Sequence, residues 1–212
     1  MSFEHACFIS YRHHEQSQLA ERFILDLSGA LRNELVLMME EDIFFDRERM
    51  QGGTFFNPAL ANALCKSVCM IVVYTPTYFS RLHTYCAREY RAMEKLEEAR
   101  LSRLKGQLGR ETGLIIPVIL RGQELLPETI RAQRQYYTFE RFYLSSRELA
   151  RNRQFEDRVR ELASVIHARK RTLAPWADEL TCDCHSFTFP TEEEVHPWLE
   201  NLIPSTHDFP FR

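Results

Sequence analysis

No stretch of this chain is apolar for long. The longest such runs in its 212 residues, 68–74 and 114–120, have seven residues each. A helix needs ~20 to cross a bilayer, so a membrane span is excluded. The opening MSFEHACFIS lacks the basic start and apolar stretch of a secretory signal, and a cytoplasmic protein is expected. Its six cysteines are then expected as reduced thiols. Glycine is scarce, at 7 residues, which argues against a fibrous or linker-like chain. The patterns GxGxxG, GxxxxGKS/T and GxSxG are missing, which disfavours a Rossmann dehydrogenase, a P-loop NTPase and an α/β-hydrolase. No repeat of fixed period is visible.

What is present is 44% hydrophobic, 27% charged and 12% aromatic residues, the proportions of a globular chain with one core and room for an extension. A net charge of −3 gives no general attraction for nucleic acid. Its distribution is uneven: residues 141–171 hold nine Arg or Lys against four Asp or Glu, and residues 172–212 one against eight. This describes a solvated basic helix and an acidic tail, or, more sharply, a surface for an acidic partner.

Strand and helix patterns alternate about every 35 residues. Residues 6–9 read as a strand ending at Ser10-Tyr11-Arg12, and Leu19, Phe23, Leu27, Ala30 and Leu31 recur at helical spacing. Residues 42–46 read as a second strand, a loop with Gly52-Gly53 follows, and Asn57-Pro58 signals the start of a helix carrying Leu60 and Leu64. The uniformly apolar run 68–74 is the expected centre of a parallel sheet. A loop to about Thr84 leads into a helix carrying Ala92, Met93 and Leu96. Residues 114–120 read as strand four, with Pro117 pointing to an edge or bulge, and 136–139 as a short strand five. Phe155, Val159, Leu162, Ala163 and Ile166 stripe a last helix. The expected fold is α/β, a flavodoxin-like parallel sheet of order 2-1-3-4-5 flanked by helices. It spans residues 1–171. Residues 172–212 form an acidic extension broken by Pro175, Pro190, Pro197, Pro204 and Pro210, with a turn or two of helix within 192–202 packing Trp198. Ligands of such sheets bind where the winding reverses, at the carboxyl ends of strands one and three, so residues 10–14 and 76–89 should line the crevice.

Several residue clusters have bland readings. Cys182-Asp183-Cys184-His185 invites zinc, but one cluster without a second pair at ligand spacing is weak support, and no metal is expected. Cys7, Cys65, Cys69 and Cys86 lie in or beside apolar segments, as small buried hydrophobes do. His13-His14-Glu15 sits just before a helix, where solvated capping residues are at least as good an account as an acid-base cluster.

The crevice segments carry the information. Phe8-Ile9-Ser10-Tyr11-Arg12 closes strand one. The stretch from IFFDRERMQGG to TYCAREY contains Asp46, five residues and Gly52-Gly53, then Tyr85-Cys86-x-x-Glu89. In this order they resemble the Toll/interleukin-1 receptor (TIR) domain family over residues 3–170. FISYR looks like its first box, the Asp46 to Gly53 segment like its second, and YCxxE like the element of those members that cleave NAD. The third box, a Phe-Trp pair, is matched only by FERF at 139–142. The resemblance implies Glu89 as catalytic residue, with Ser10, Arg12, His13, Asp46, Tyr85 and Cys86 as substrate-binding residues.

The chemistry fits one carboxylate. Nicotinamide leaves NAD as a neutral base and needs no proton, so the usual glycosidase pair reduces to a single group. That group orients the ribose hydroxyls and stabilises the oxocarbenium-like transition state. Tyr85, four residues before Glu89, shares its helical face and offers a ring for stacking, and Arg12 is suited to the pyrophosphate. NAD is then a substrate, and no cofactor is required. The resemblance further implies a stand-alone NAD glycohydrolase or cyclase of antiphage defence, Thoeris-like. Such a protein associates through the loop 46–56 and makes ADP-ribose or a cyclic or conjugated form read by a separate effector. The rival readings are a non-catalytic TIR scaffold or host-signalling mimic, and a nucleoside deoxyribosyltransferase-like enzyme.

Overall fold

Every residue of 67–74 is buried, as the alternation-free sequence SVCMIVVY requires of a strand covered on both faces. The computed structural model describes residues 2–13, 17–45, 56–104, 113–144 and 149–202. In it β3 (Ser67–Tyr74) is the centre of a five-stranded parallel sheet with β1 (His5–Tyr11), β2 (Asp42–Phe45), β4 (Ile115–Ile119) and β5 (Tyr137–Thr138). The order is β2-β1-β3-β4-β5, a flavodoxin-like winding that reverses between β1 and β3. Register aligns Ser10 with Val72 and Tyr11 with Val73, so both strands deliver their carboxyl ends to one place.

Two helices cover one face. In α1 (Gln18–Leu35) the Ser17 side chain caps the first turn by accepting from Ala20 N at 3.3 Å. Phe23, Ile24, Leu27, Leu31 and Leu35 of that helix are buried. They meet α6 (Arg153–Leu173), whose expected stripe of Phe155, Val159, Leu162, Ala163 and Ile166 is buried throughout. Each such side chain contributes about 1.5–3 kcal/mol by leaving water. The two phenylalanines of FERF, Phe139 and Phe142, join Phe23 and Phe155 in one cluster, with centroids 5.6–6.3 Å apart. The opposite face is covered by α2 (Phe56–Cys65) and α3 (Tyr85–Arg103).

The structure corrects the sequence reading in five places. Helix α2 starts at Phe56, ahead of the Asn57-Pro58 signal, a shift of the size helix ends commonly show. Strand β4 is internal, because Pro117 pairs with Val72 of β3. The missing N–H is accommodated because β5 begins its pairing only at Val118. Strand β5 is two residues long. The tail helix is longer than a turn or two: α8 runs Glu192–Leu202 with Pro197 inside it. Finally, Cys65 and Cys184 are not reduced thiols but a disulfide, their Cα atoms 5.3 Å apart. Both cysteines are buried, and the bond spans 119 residues of sequence. Cys184, weighed as a zinc ligand, is thereby committed elsewhere.

The amino-terminal turns of α3 are held from outside the sheet. Trp198 of α8 stacks on Tyr90 (5.7 Å) and meets Phe79 edge-on (5.5 Å). Thr84 Oγ1 donates to Glu192 at 3.1 Å, and Arg88 Nε donates to the Pro190 carbonyl at 2.7 Å. Lower down, Arg134 grips Glu97 through both guanidinium nitrogens, at 3.0 and 2.7 Å. Arg100 donates to the carbonyls of Ser67, at 2.9 Å, and Cys65. Burial pushes the Arg100 guanidinium down to about 10, far enough above neutrality to keep it charged.

Candidate active site

The last residues of β1 and the start of α3 meet at the point where the winding reverses. Ser10, 1% exposed, turns its hydroxyl off β1 and donates to Glu89 Oε2 at 2.5 Å. The same oxygen lies 2.6 Å from the Tyr78 hydroxyl. Serine has one proton, and it is committed to the carboxylate, so the tyrosine must be the donor between them. The result is a directed chain, Tyr78 to Ser10 to Glu89, on a carboxylate that is only 9% exposed. Burial raises the Tyr78 hydroxyl well above its ordinary value, and Cys86 and Glu89 add to the effect, so the ring stays neutral and donating. Glu89 is the fifth residue of α3, beyond the first turn where the helix dipole favours an anion most. The hydroxyl donor is the more local support.

The loop after β3 is closed by its neighbours. Tyr78 N donates to Thr75 O at 2.9 Å, and Tyr74 reaches across to the Leu125 carbonyl at 2.6 Å. Gly122 carries φ +75° there. A side chain at 122 would lie 2.5 Å from Pro76 Cγ, so only glycine lets the loop after β4 pass beside the crevice.

Each expected site residue has a place in or near this geometry. Arg12 follows β1 directly and donates from Nη1 to Thr77 O at 3.1 Å, bridging the two crevice segments. Tyr85 opens α3 and is 51% exposed, with the Arg88 guanidinium 5.7 Å from its ring centroid. Cys86 is buried beneath Glu89. Burial raises its thiol well above the usual range, Glu89 raises it further and Arg12 opposes, so it presents a neutral thiol. His13 is exposed and lies apart from Glu89's hydroxyl chain: its Nδ1 is 2.9 Å from Glu21 Oε1 and its Nε2 3.2 Å from the Tyr11 hydroxyl. The cap of α1 is Ser17, and His13 pairs with the first turn of that helix. Asp46, most of the loop 46–56, His14 and Glu15 lie outside the described residues.

Tyr78 was missed as a site residue. It lies inside the 76–89 segment that topology assigns to the crevice, and a tyrosine between two threonines and a phenylalanine in that loop was the available signal. Its burial could not be read from sequence, because it arises from packing against Tyr74 and Phe79 at 6.4 and 4.8 Å.

No curated protein matches the chain at the significance required. The family model for the TIR domain matches residues 7–163, a span holding β1 from its third residue, the other four strands, the first five helices and the Ser10–Tyr78–Glu89 chain. The chain belongs to the TIR domain family.

Proposed function

We propose that this TIR protein cleaves the nicotinamide–ribose bond of NAD, with Glu89 as the catalytic carboxylate. The observation that carries the reading is the buried carboxylate at the switch point, held by the Ser10 hydroxyl at 2.5 Å. TIR domains include NAD-cleaving enzymes as well as scaffolds, and a scaffold needs no carboxylate oriented in a cleft.

In this reading Glu89 accepts hydrogen bonds from the ribose hydroxyls and places negative charge beside the anomeric carbon as the C–N bond breaks. Nicotinamide departs with the bonding electron pair and neutralises its own ring. The oxocarbenium-like centre is then taken by water, giving ADP-ribose, or by a nucleophile within the same nucleotide, giving a cyclic product. A fixed carboxylate in a water-poor site is worth far more to such a centre than one in bulk solvent. Arg12 meets the pyrophosphate. Tyr85 offers the stacking surface, and its exposure leaves the ring accessible. Ser10, Cys86, His13 and Asp46 complete the substrate-binding set.

The coarser setting is also a proposal. The TIR unit is assigned to residues 1–171 and the acidic extension to 172–212. The chain is read as a cytoplasmic, Thoeris-like antiphage protein whose nucleotide product signals to a separate effector. TIR domains commonly self-associate, and association through the loop 46–56 is read as completing the site. No helix among the described residues is long and apolar enough to cross a membrane. The test is incubation of purified protein with NAD and, separately, with deoxynucleosides, at low and high protein concentration, with products resolved by chromatography and mass spectrometry. Nicotinamide release from NAD supports the reading. Base exchange on deoxynucleosides alone replaces it with a deoxyribosyltransferase, and no turnover of either leaves the scaffold.

A further inference from the structure

The disulfide lies outside the NAD reading and serves a different part of the molecule. Cys65 ends α2, and Cys184 follows α7 (Ala177–Thr181) in the carboxy-terminal segment. Among the described residues this bond is the covalent cross-link, besides the backbone that continues from α6, between the sheet domain and the segment 174–202. The other ties between them are the burial of Leu180, Phe189, Val195, Leu199 and Leu202 in the common core and a set of ring and polar contacts: Trp198 on Tyr90 and Phe79, Arg91 5.3 Å from the Trp198 ring centroid, Glu192 on Thr84, the Pro190 carbonyl on Arg88 and the Glu179 carbonyl on Arg103 at 3.1 Å. Apart from Phe79 in the loop before it, the ring and polar contacts fall on α3 from its cap at Thr84 to Arg103.

Both cysteines of the bond are buried, Cys65 at 4% and Cys184 at 1% exposure, and the Cys65 side borders a cavity. A pocket of about 380 Å³ opens between α3 and the segment, and Cys65 forms part of its wall with Arg100, Arg103, Cys182, Asp183 and Phe187. That volume is in the range of small-molecule sites. Cys182, two residues from Cys184, is a free and exposed thiol on the same wall. Cys7, Cys69 and Cys86 are buried elsewhere.

We propose that this pocket is a thiol-exchange site for a low-molecular-weight thiol, and that the Cys65–Cys184 bond is a reducible fastener of the carboxy-terminal segment on α3. The thiolate of the incoming molecule attacks the Cys65 sulfur from the pocket. The Cys65–Cys184 bond breaks, a mixed disulfide forms on Cys65, and Cys184 leaves as a thiolate that takes a proton from solvent. A second thiol of the same class attacks the mixed disulfide, so that two thiols end as one disulfide and Cys65 and Cys184 end as thiols. The two electrons come from the small thiol. With the bond cut, the segment is held by its non-covalent packing and its backbone connection to α6. The loop closure that the bond imposed on the unfolded chain is lost, and the first turns of α3 loosen with the segment.

The experiment compares the full chain, oxidised and after treatment with dithiothreitol, by intact mass under alkylation and by amide hydrogen exchange. The expected result is one disulfide in the oxidised form and two additional alkylated cysteines, Cys65 and Cys184, after reduction. Exchange should rise about tenfold or more across 177–202 and through 84–91, with β3 unchanged. The Cys184→Ser variant should match the reduced protein, and Cys182→Ser should keep the oxidised pattern. Re-oxidation of the reduced wild type restores protection and makes the test independent of how the variants fold. Equal exchange in the two redox forms, or oxidised protein in which Cys65 and Cys184 are both alkylated without reduction, overturns the proposal. No readout uses NAD, so failure here leaves the cleavage reading standing, and failure of cleavage leaves the fastener standing.

Discussion

Helix α3 carries two buried glutamates eight residues apart, and they sit in opposite chemical settings. Glu97, 8% exposed, is gripped by both nitrogens of the Arg134 fork and also accepts from the backbone N–H of Leu114 and, at 3.3 Å, of Ile115. Arg134 is anchored in turn by the Tyr90 hydroxyl at 3.0 Å, and these partners keep its guanidinium raised despite burial. Glu89, as buried, meets a hydroxyl chain from Ser10 and Tyr78 at the end of the sheet where ligands bind. A forked ion pair with two amides fixes a carboxylate in place, and its work is to join α3 to the start of β4. A hydroxyl donor orients a carboxylate, here at the end of the sheet where ligands bind. Equal burial on one helix therefore carries two functions, which the partners tell apart.

The comparison breaks first at the ion pair. Arg134→Ala leaves the Glu97 charge buried, and a loss of about 3–5 kcal/mol in unfolding free energy is expected, read by denaturant titration. Crevice residues substituted conservatively should cost under about 1 kcal/mol in the same assay. Glu97→Gln should cost less than Arg134→Ala, about 2 kcal/mol, because the amide still accepts from the Leu114 and Ile115 backbone.

At the crevice the ranking moves from stability to turnover. Ser10→Ala removes the donor that holds Glu89, and NAD cleavage should fall about tenfold, which corresponds to ~1.4 kcal/mol in the barrier. Tyr78→Phe keeps the packing and should cost two- to threefold by the same scale, with the order Ser10→Ala above Tyr78→Phe the informative result. Tyr85→Ala should raise KM several-fold while Tyr85→Phe stays near wild type, because stacking needs the ring and not the hydroxyl. Equal damage from both would move the role to the hydroxyl.

The smallest effect concerns the thiols. Burial raises Cys7 and Cys86 well above 9.0 and Cys69 to about 12. The folded state therefore holds protons that the unfolded chain releases first. Stability from these groups is fully present below pH 9.0 and declines as pH rises from there through the folded values. Thermal melts should be flat from pH 7 to 8.5 and fall above 9. Alkylation of the oxidised native protein at pH 8 should label Cys182 and spare the other three.

Much of the fold was legible because its signals are local. The uniform run 68–74 named the central strand, and the stripe from Phe155 to Ile166 named α6, although α7 and α8 follow what was read as the last helix. Glu89 and Ser10 were both singled out, but their 2.5 Å contact spans 79 residues of sequence, and no periodicity reports such a distance. Pro117 looked like an edge signal because sequence shows the missing N–H and not the late start of β5. Cys65 looked like a buried hydrophobe because its partner is 119 residues away. Tyr78 was hidden among loop residues whose burial depends on how three segments converge.

The central claim is that one of the two glutamates does chemistry and the other holds the fold. Nicotinamide release from NAD, measured per folded molecule for wild type, Glu89→Gln and Glu97→Gln beside their unfolding curves, tests it most directly. The account predicts that Glu89→Gln loses on the order of 10²-fold or more in turnover with its unfolding midpoint unchanged, and that Glu97→Gln loses stability while each folded molecule turns over within a few-fold of wild type. Wild-type turnover in Glu89→Gln, or equal loss of turnover in both variants, would contradict it.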